Sequence, residues 1–227
     1  MTQSSRDQQP KQLSLEPQFW MLTILVVAVI TWLAPPDRWN WFLDAGWVVA
    51  GLPLLWWTQS RFPLTPLLYR LLAFHALVLI AGGYWTYEKN PLGLWLQSLF
   101  QTERNHFDRF GHFMQGFVPA ILARELFSRL SPVRSGGWLS YFAFLQCLAF
   151  SAFFELLEWL ATVLSGEEGD AFLGHQGDIW DAQWDMLWAI IGCILSLTLF
   201  SRLHNRQMEK LQRSSDRIET SNAQMIR

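Results

Sequence analysis

Charge is scarce in this sequence. Asp, Glu, Lys and Arg make up 16% of its 227 residues, against about 25% in a soluble domain. A Trp-rich soluble α-domain remains the bland alternative, but it would have few charges with which to solvate its surface. Cysteine is nearly missing: Cys147 and Cys193 are the only two, and both lie in apolar stretches. That excludes a disulfide framework or a cysteine-rich zinc motif and suits core filling. The charges almost cancel, at −2 overall, so nothing points to a nucleic-acid partner. No P-loop, dinucleotide fingerprint, GxSxG elbow or HExxH zinc motif occurs. Internal repeats and low-complexity segments are also lacking.

What the chain has in quantity is apolar sequence. Hydrophobic residues make up 51%, including 14 Trp and 17 Phe. Charge is absent from 19–34, 45–60, 71–87, 136–154 and 186–201, and runs of this length approach the roughly 17–25 residues that cross a hydrocarbon core. The pattern predicts an all-α, polytopic membrane protein with six transmembrane helices, near 17–34, 42–59, 64–84, 106–130, 137–164 and 179–203. Pro35-Pro36, Pro63, Pro91, Pro132 and Gly166 punctuate them. Leu92, Leu94, Trp95, Leu96, Leu99 and Phe100 suggest an interfacial helix between the third and fourth spans. The expected organisation is a polar N-terminal tail (1–17), a six-helix transmembrane domain (18–203) and a basic polar C-terminal tail (204–227). That last tail reads as a fraying helix end leading into disorder. The first run has no small-residue cleavage pattern after it and reads as a retained span.

Lysine and arginine set the expected orientation. Thirteen of the 17 fall in the two tails and in the second-to-third and fourth-to-fifth connections. Arg38, Lys89, Arg104 and Arg109 fall on the other side. By the positive-inside rule both termini are cytoplasmic.

The acids inside the spans then become the leading site candidates. A carboxylate costs roughly 2.5–3.5 kcal/mol at the centre of a spanning helix, so several in one bundle need compensation. Asp108 and His112 open the fourth span, Glu155 and Glu158 close the fifth, and Asp178, Asp181 and Asp185 open the sixth. With alternating direction, all three groups lie within roughly 15 Å of the outer surface at 1.5 Å rise per residue. Helical projection aligns Asp108 with Gly111, His112, Gln115 and Gly116. It likewise aligns Glu155 with Ser151, Glu158 and Thr162, and the three aspartates with Gly192 and Ser196. The opposite faces, with Phe110, Phe113 and Phe117 on the fourth span, suit lipid, while the small residues permit close helix approach.

Six carboxylates facing Arg109 and one imidazole cannot all stay ionised. A divalent metal ion would resolve the imbalance: His112, Glu155, Asp181 and Asp185 are the expected ligands, in a donor set suited to Mg²⁺, Mn²⁺, Fe²⁺ or Zn²⁺. Protonation would resolve it too. Simpler roles exist for single residues. Asp178 after Gly177 caps a helix, Asp108 pairs with Arg109 or Arg104, and Glu158 reaches headgroup water. His75 packs in an apolar run, and His106 and His175 sit in loops or at the interface.

Three segments carry a resemblance: Phe107-Asp-Arg-Phe-Gly-His-Phe-Met-Gln-Gly-Phe117, Glu155-Leu-Leu-Glu-Trp159, and Phe172-Leu-Gly-His-Gln-Gly-Asp-Ile-Trp-Asp-Ala-Gln-Trp-Asp-Met186. Together they resemble the YjdF-like group of bacterial inner-membrane proteins, from the second span onward. The resemblance implies a six-span inner-membrane protein and brings no activity with it. A looser likeness, in the order of the Asp/His, Glu and Asp-rich helices, is to VanZ-like membrane proteins.

Three functions compete. The first is a metal-dependent enzyme acting on a lipid or envelope substrate from the outer leaflet, with Glu158 or Asp108 as general base and a metal-activated water as nucleophile. The second is a small proton- or cation-coupled transporter, for which a homodimer would complete the pathway. The third is a non-catalytic scaffold whose ion pairs fix helix packing. In each the expected partner is the lipid bilayer.

Overall fold

The computed structural model describes residues 15–134, 136–165 and 176–225. They form seven helices: α1 (Leu15–Leu33), α2 (Arg38–Thr58), α3 (Pro66–Trp85), α4 (Pro91–Phe100), α5 (Phe107–Leu130), α6 (Gly137–Ser165) and α7 (Asp181–Met225). The all-α expectation holds. The six long helices read from the sequence are present, with α4 as the short helix between the third and fourth. Most of the N-terminal tail and His175 lie outside the described residues.

Local chemistry sets the boundaries. Asp37 caps α2 by accepting hydrogen bonds from the backbone N–H groups of Trp39 at 2.7 Å and Asn40 at 3.1 Å. The helix therefore begins at Arg38 and not near residue 42. Asn90 caps α4 ahead of Pro91, and Gln101 ends it in the left-handed conformation at φ 52°. The apolar Leu92, Trp95, Leu99 and Phe100 of α4 are exposed. Gly93 lies on the side chain of Asn105, where a Cβ would have no room. Asn105 in turn donates to the carbonyls of Glu88 at 2.8 Å and Asn90 at 3.3 Å, tying α4 to the start of α5.

The last helix departs most from expectation. Where a fraying tail was expected after residue 203, α7 continues as one helix to Met225. Three polar side chains hold its next turns to the bundle. Gln207 accepts from the Leu67 N–H at 3.0 Å, Asn205 accepts from Arg124 at 2.8 Å, and His204 meets Glu125 at 3.0 Å.

Two three-helix groups share the core. Ile24, Ala28, Trp41, Ala45, Val48, Ala73 and Ile80 join α1, α2 and α3. Ala120, Cys147 and Cys193 join α5, α6 and α7, with both cysteines buried as free thiols. Val78, Phe107, Met114 and Val118 join the groups across α3 and α5. The closest approach is between α5 and α7. A Cβ on Gly116 would overlap the Ala189 carbonyl, and one on Gly192 would overlap the Phe113 carbonyl. These are the small residues at which the two backbones touch.

Helix α5 is therefore the hub, packed on α3, α6 and α7. Its Phe110, Phe113 and Phe117, which the projection turned to lipid, are half-buried instead. They pack on the cluster of Val78, Phe107, Met114 and Val118, with Phe113 and Phe117 stacked at 5.4 Å. The opposite faces of α6 and α7 are mostly outward: Phe153 and Leu160 on α6, Trp180 just before α7, and Leu187 and Ile191 on α7 are exposed, while Leu157 is half-buried.

Among the described residues, four helices are long and apolar enough to cross a membrane: Leu15–Leu33, Pro66–Trp85, Gly137–Leu164 and Asp181–Ser214. Helices α2 and α5 do not meet that measure. For α5 the reason is its position: a helix buried among neighbours needs no apolar surface, and it carries Asp108, His112, Gln115, Arg124 and Glu125 in the interior. The exterior is a broad belt of exposed Leu, Ile, Val, Phe and Trp, far beyond the few hundred Å² a soluble protein shows.

Candidate functional site

The site lies at the end of the bundle where α3 stops and α5 and α7 start. Two segments tie that end together: the Gln176 side chain accepts from the Asn105 N–H at 3.0 Å and donates to the Asn105 carbonyl at 2.9 Å. Asp178 accepts from the Trp180 N–H at 3.0 Å, which makes it a turn cap ahead of α7 as its sequence position suggested.

All six predicted site residues converge here, in two layers. The outer layer is an ion-pair network. Arg104 reaches Asp181 at 2.6 Å, Asp108 at 3.3 Å and Asp178 at 3.7 Å. Arg109 reaches Asp178 at 2.8 Å and lies over the Trp184 ring at 5.3 Å. Asp181 therefore already has a cation, and Asp108 takes the Arg104 pairing that the sequence offered as one alternative.

The inner layer is centred on His112. Its Nδ1 is 3.2 Å from the Gln115 Oε1 and 3.5 Å from the Glu155 Oε1. Its Nε2 is 3.7 Å from the Asp108 Oδ1 and 3.9 Å from the Glu158 Oε1. Asp185 completes the layer, 2% exposed, with its Oδ1 lacking a hydrogen-bond partner; the Glu155 Oε1 lacks one too. Two overlapping sets have donor atoms all within 4.8 Å of one another: Asp108, His112 and Asp185, and His112, Glu155 and Glu158. Two ligands on opposite sides of one ion at about 2.0–2.2 Å would stand a little over 4 Å apart, so either set needs only small side-chain movements. Imidazole with carboxylate oxygens suits a first-row divalent ion or Mg²⁺.

Two neighbours escaped the sequence reading. Asp44 on α2 is fully buried beside the Tyr87 hydroxyl, and neither of its carboxylate oxygens makes a hydrogen bond of good geometry. Reading Asp37 as the cap would have found it, since Asp44 then lies nearly two turns inside α2. The Tyr87 ring is seated against Gly82 and Gly111, where a Cβ would fall 2.5 Å and 2.9 Å from it. Burial, with Asp44, Asp108 and Glu158 nearby, holds the Tyr87 phenol well above its ordinary pKa and keeps it protonated. At the rim, burial and then Arg109 and Arg104 hold the imidazole of His106 below its ordinary value.

A second buried cluster, at the opposite end, also went unread. The Glu125 carboxylate accepts from the Thr65 N–H at 3.1 Å, the Thr65 hydroxyl at 2.8 Å and Arg129 at 2.7 Å, and meets His204 at 3.0 Å. Its oxygens are saturated by protein. The Glu125/Arg129 spacing of four residues was its one sequence signal.

The fold and site thus define an integral, multi-pass helical membrane protein with an acid and imidazole cluster buried at one end of its bundle. The chain belongs to the family described as Predicted membrane protein (DUF2238), whose model matches residues 17–206. It is 39% identical over 189 residues to the Inner membrane protein YjdF of Escherichia coli (strain K12), covering 83% of this chain and 90% of that one. The YjdF-like resemblance of the three motifs is therefore correct. No solved structure matches the chain.

Proposed function

We propose that this protein is a six-span inner-membrane enzyme, with both termini cytoplasmic, that uses a divalent cation to act on a lipid or envelope substrate from the outer leaflet. The observation that carries the reading is the inner layer. Four carboxylates surround His112, and Asp185 and Glu155 each present a buried oxygen without a hydrogen-bond partner. Asp108 reaches Arg104, which it shares with Asp181. Asp108, His112 and Asp185 would hold the ion, all three being buried. Asp181, expected from its spacing to be a ligand, would instead anchor Arg104 and so orient Asp108. Glu158, across the imidazole and facing the bundle interior, is the general base, and Glu155 supports it. The ion would supply Lewis-acid polarisation of a substrate oxygen and a nucleophile at neutral pH. Gln115 would fix the His112 tautomer through Nδ1.

Elemental analysis of detergent-purified protein tests this. Stoichiometric metal is expected in the wild type and in Asp181→Asn, with loss in His112→Ala and Asp185→Asn. Wild-type protein without metal, or variants that retain it, would defeat the reading. One observation favours a second reading, a proton-coupled carrier. Asp44, fully buried beside Tyr87, extends the line of carboxyl groups from the rim to α2. Proteoliposome flux abolished by both Asp44→Asn and Glu155→Gln would favour it.

A further inference from the structure

A cavity of about 270 Å³ runs between α1, α2, α3, α5 and α6. Asp108, His112 and Glu158 line one end, and Trp20, Leu55 and Leu122 the other. Along α5 the lining extends from Asp108 to Leu122, about 21 Å at 1.5 Å per residue. That is much of the roughly 30 Å depth of a hydrocarbon core. The walls between are mostly apolar, with Gln115 and His75 as polar groups along the way. The volume lies at the lower edge of small-molecule sites, roughly 300–1,000 Å³. Spread over that length, it suits one hydrocarbon chain and not two.

The way in is lateral. Helices α2 and α6 share no extended packing. They meet where the Trp47 ring lies 6.2 Å from Phe150 and 6.4 Å from Phe154. All three rings line the cavity, and Trp47 is 44% exposed, so we take this seam as the side door of the cavity. Gly51, one turn further along α2, lines the cavity too, and a Cβ there would meet nothing within 4 Å.

We propose that this cavity binds a single-chain lipid, admitted past Trp47, with its chain along α3 and α5 and its oxygen-rich head at the Asp108–His112–Glu158 end. The assignment deepens the metal-enzyme reading and rests on it for the head, while the chain site stands on the cavity alone. The head end joins the inner layer through Asp108, His112 and Glu158, which line the cavity and belong to the two candidate ligand sets. A neutral or anionic head would need the ion there, because carboxylates predominate.

The test uses the full chain in dioleoylphosphatidylcholine vesicles, with a palmitoyl lysophosphatidate carrying a diazirine near its chain terminus. After irradiation, cross-links are expected on α3 between Leu72 and Leu79 and on α5 near Leu122. Unlabelled lysophosphatidate should compete, and diacyl phosphatidate should not. Gly51→Phe and Ala76→Phe, both filling the cavity, should each abolish those cross-links while the thermal unfolding midpoint stays near that of the wild type. Metal content is measured on the same samples. Labelling confined to outward residues such as Phe19, Leu25 and Trp57, or unchanged in both variants, would overturn the chain site. Cavity labelling in protein that carries no metal would leave the chain site standing and overturn the metal-bound head.

Discussion

Replacing Gly192 with alanine should separate α5 from α7 and disable the candidate site with it. The added Cβ would overlap the carbonyl of Phe113 and crowd the N–H of Phe117, both backbone groups that no rotamer change can move. The helices would have to part by roughly 1–1.5 Å or strain locally, and overpacking of this kind costs about 1–3 kcal/mol. Better helix propensity returns up to about 1 kcal/mol, so the net loss is about 0–2 kcal/mol. For a chain of this size that is a drop of at most about 8 °C in Tm. The larger effect is geometric. Asp185 lies seven residues before Gly192 on the same face, about 10.5 Å away, and its position against Asp108 and His112 depends on that contact. Metal sites tolerate only about 0.2 Å in ligand distance, so metal content should fall more sharply than Tm. The control is Gly51→Ala, where the new Cβ meets open space; it should leave metal content unchanged and Tm equal or slightly higher. Differential scanning fluorimetry and elemental analysis on the same preparations read both quantities. If Gly192→Ala behaves like Gly51→Ala, the argument from backbone contact to site geometry is wrong.

Glu125→Ala at the opposite end should be more damaging to stability. It strips the partner from His204, which is 0% exposed, and the acceptor from the Thr65 N–H, while Arg129 keeps the Pro63 carbonyl at 2.7 Å; breaking such a buried pair costs about 3–5 kcal/mol. Chemical denaturation in detergent micelles should find Glu125→Gln intermediate, because the amide keeps one acceptor oxygen, and metal content should not change. Arg104→Ala should cost a similar amount, about 3–5 kcal/mol, since Asp181 and Asp108 both lose their cation. Asp178→Asn should cost under about 1 kcal/mol, because that side chain is partly exposed and the rim is solvated. A thermal-shift ranking in which Asp178→Asn exceeds Arg104→Ala would contradict the layered arrangement of the site.

Much of the architecture was already legible in the chain. Uncharged runs bounded by proline and glycine yielded the helices, because backbone groups in lipid must be satisfied within one segment. The stripes of Asp108/His112, Glu155/Glu158 and Asp181/Asp185 followed from the 3.6-residue period, and these residues do share one end of the bundle. Gly116 and Gly192 were recognised as points of close approach. What periodicity could not supply was which neighbour each face meets. The Phe113 and Phe117 face of α5 reads like a lipid surface, yet it is half-buried in a cluster shared with α3, because apolar packing and apolar lipid ask for the same residues.

Only the tertiary structure decided how the charges divide. From sequence, Asp181 reads as a metal ligand and Asp108 as a base or an arginine partner; in space Arg104 approaches Asp181 more closely, while Asp108 also faces His112. Asp44 and Tyr87 enter because α2 and the segment after α3 bring them in from distant parts of the chain. His204 and Glu125, 79 residues apart, lock a helix that composition alone would have let fray. Helical period depends on neighbours three and four residues away, and so a single sequence displays it. Charge pairing depends on which helices are adjacent, which only packing of the whole bundle fixes.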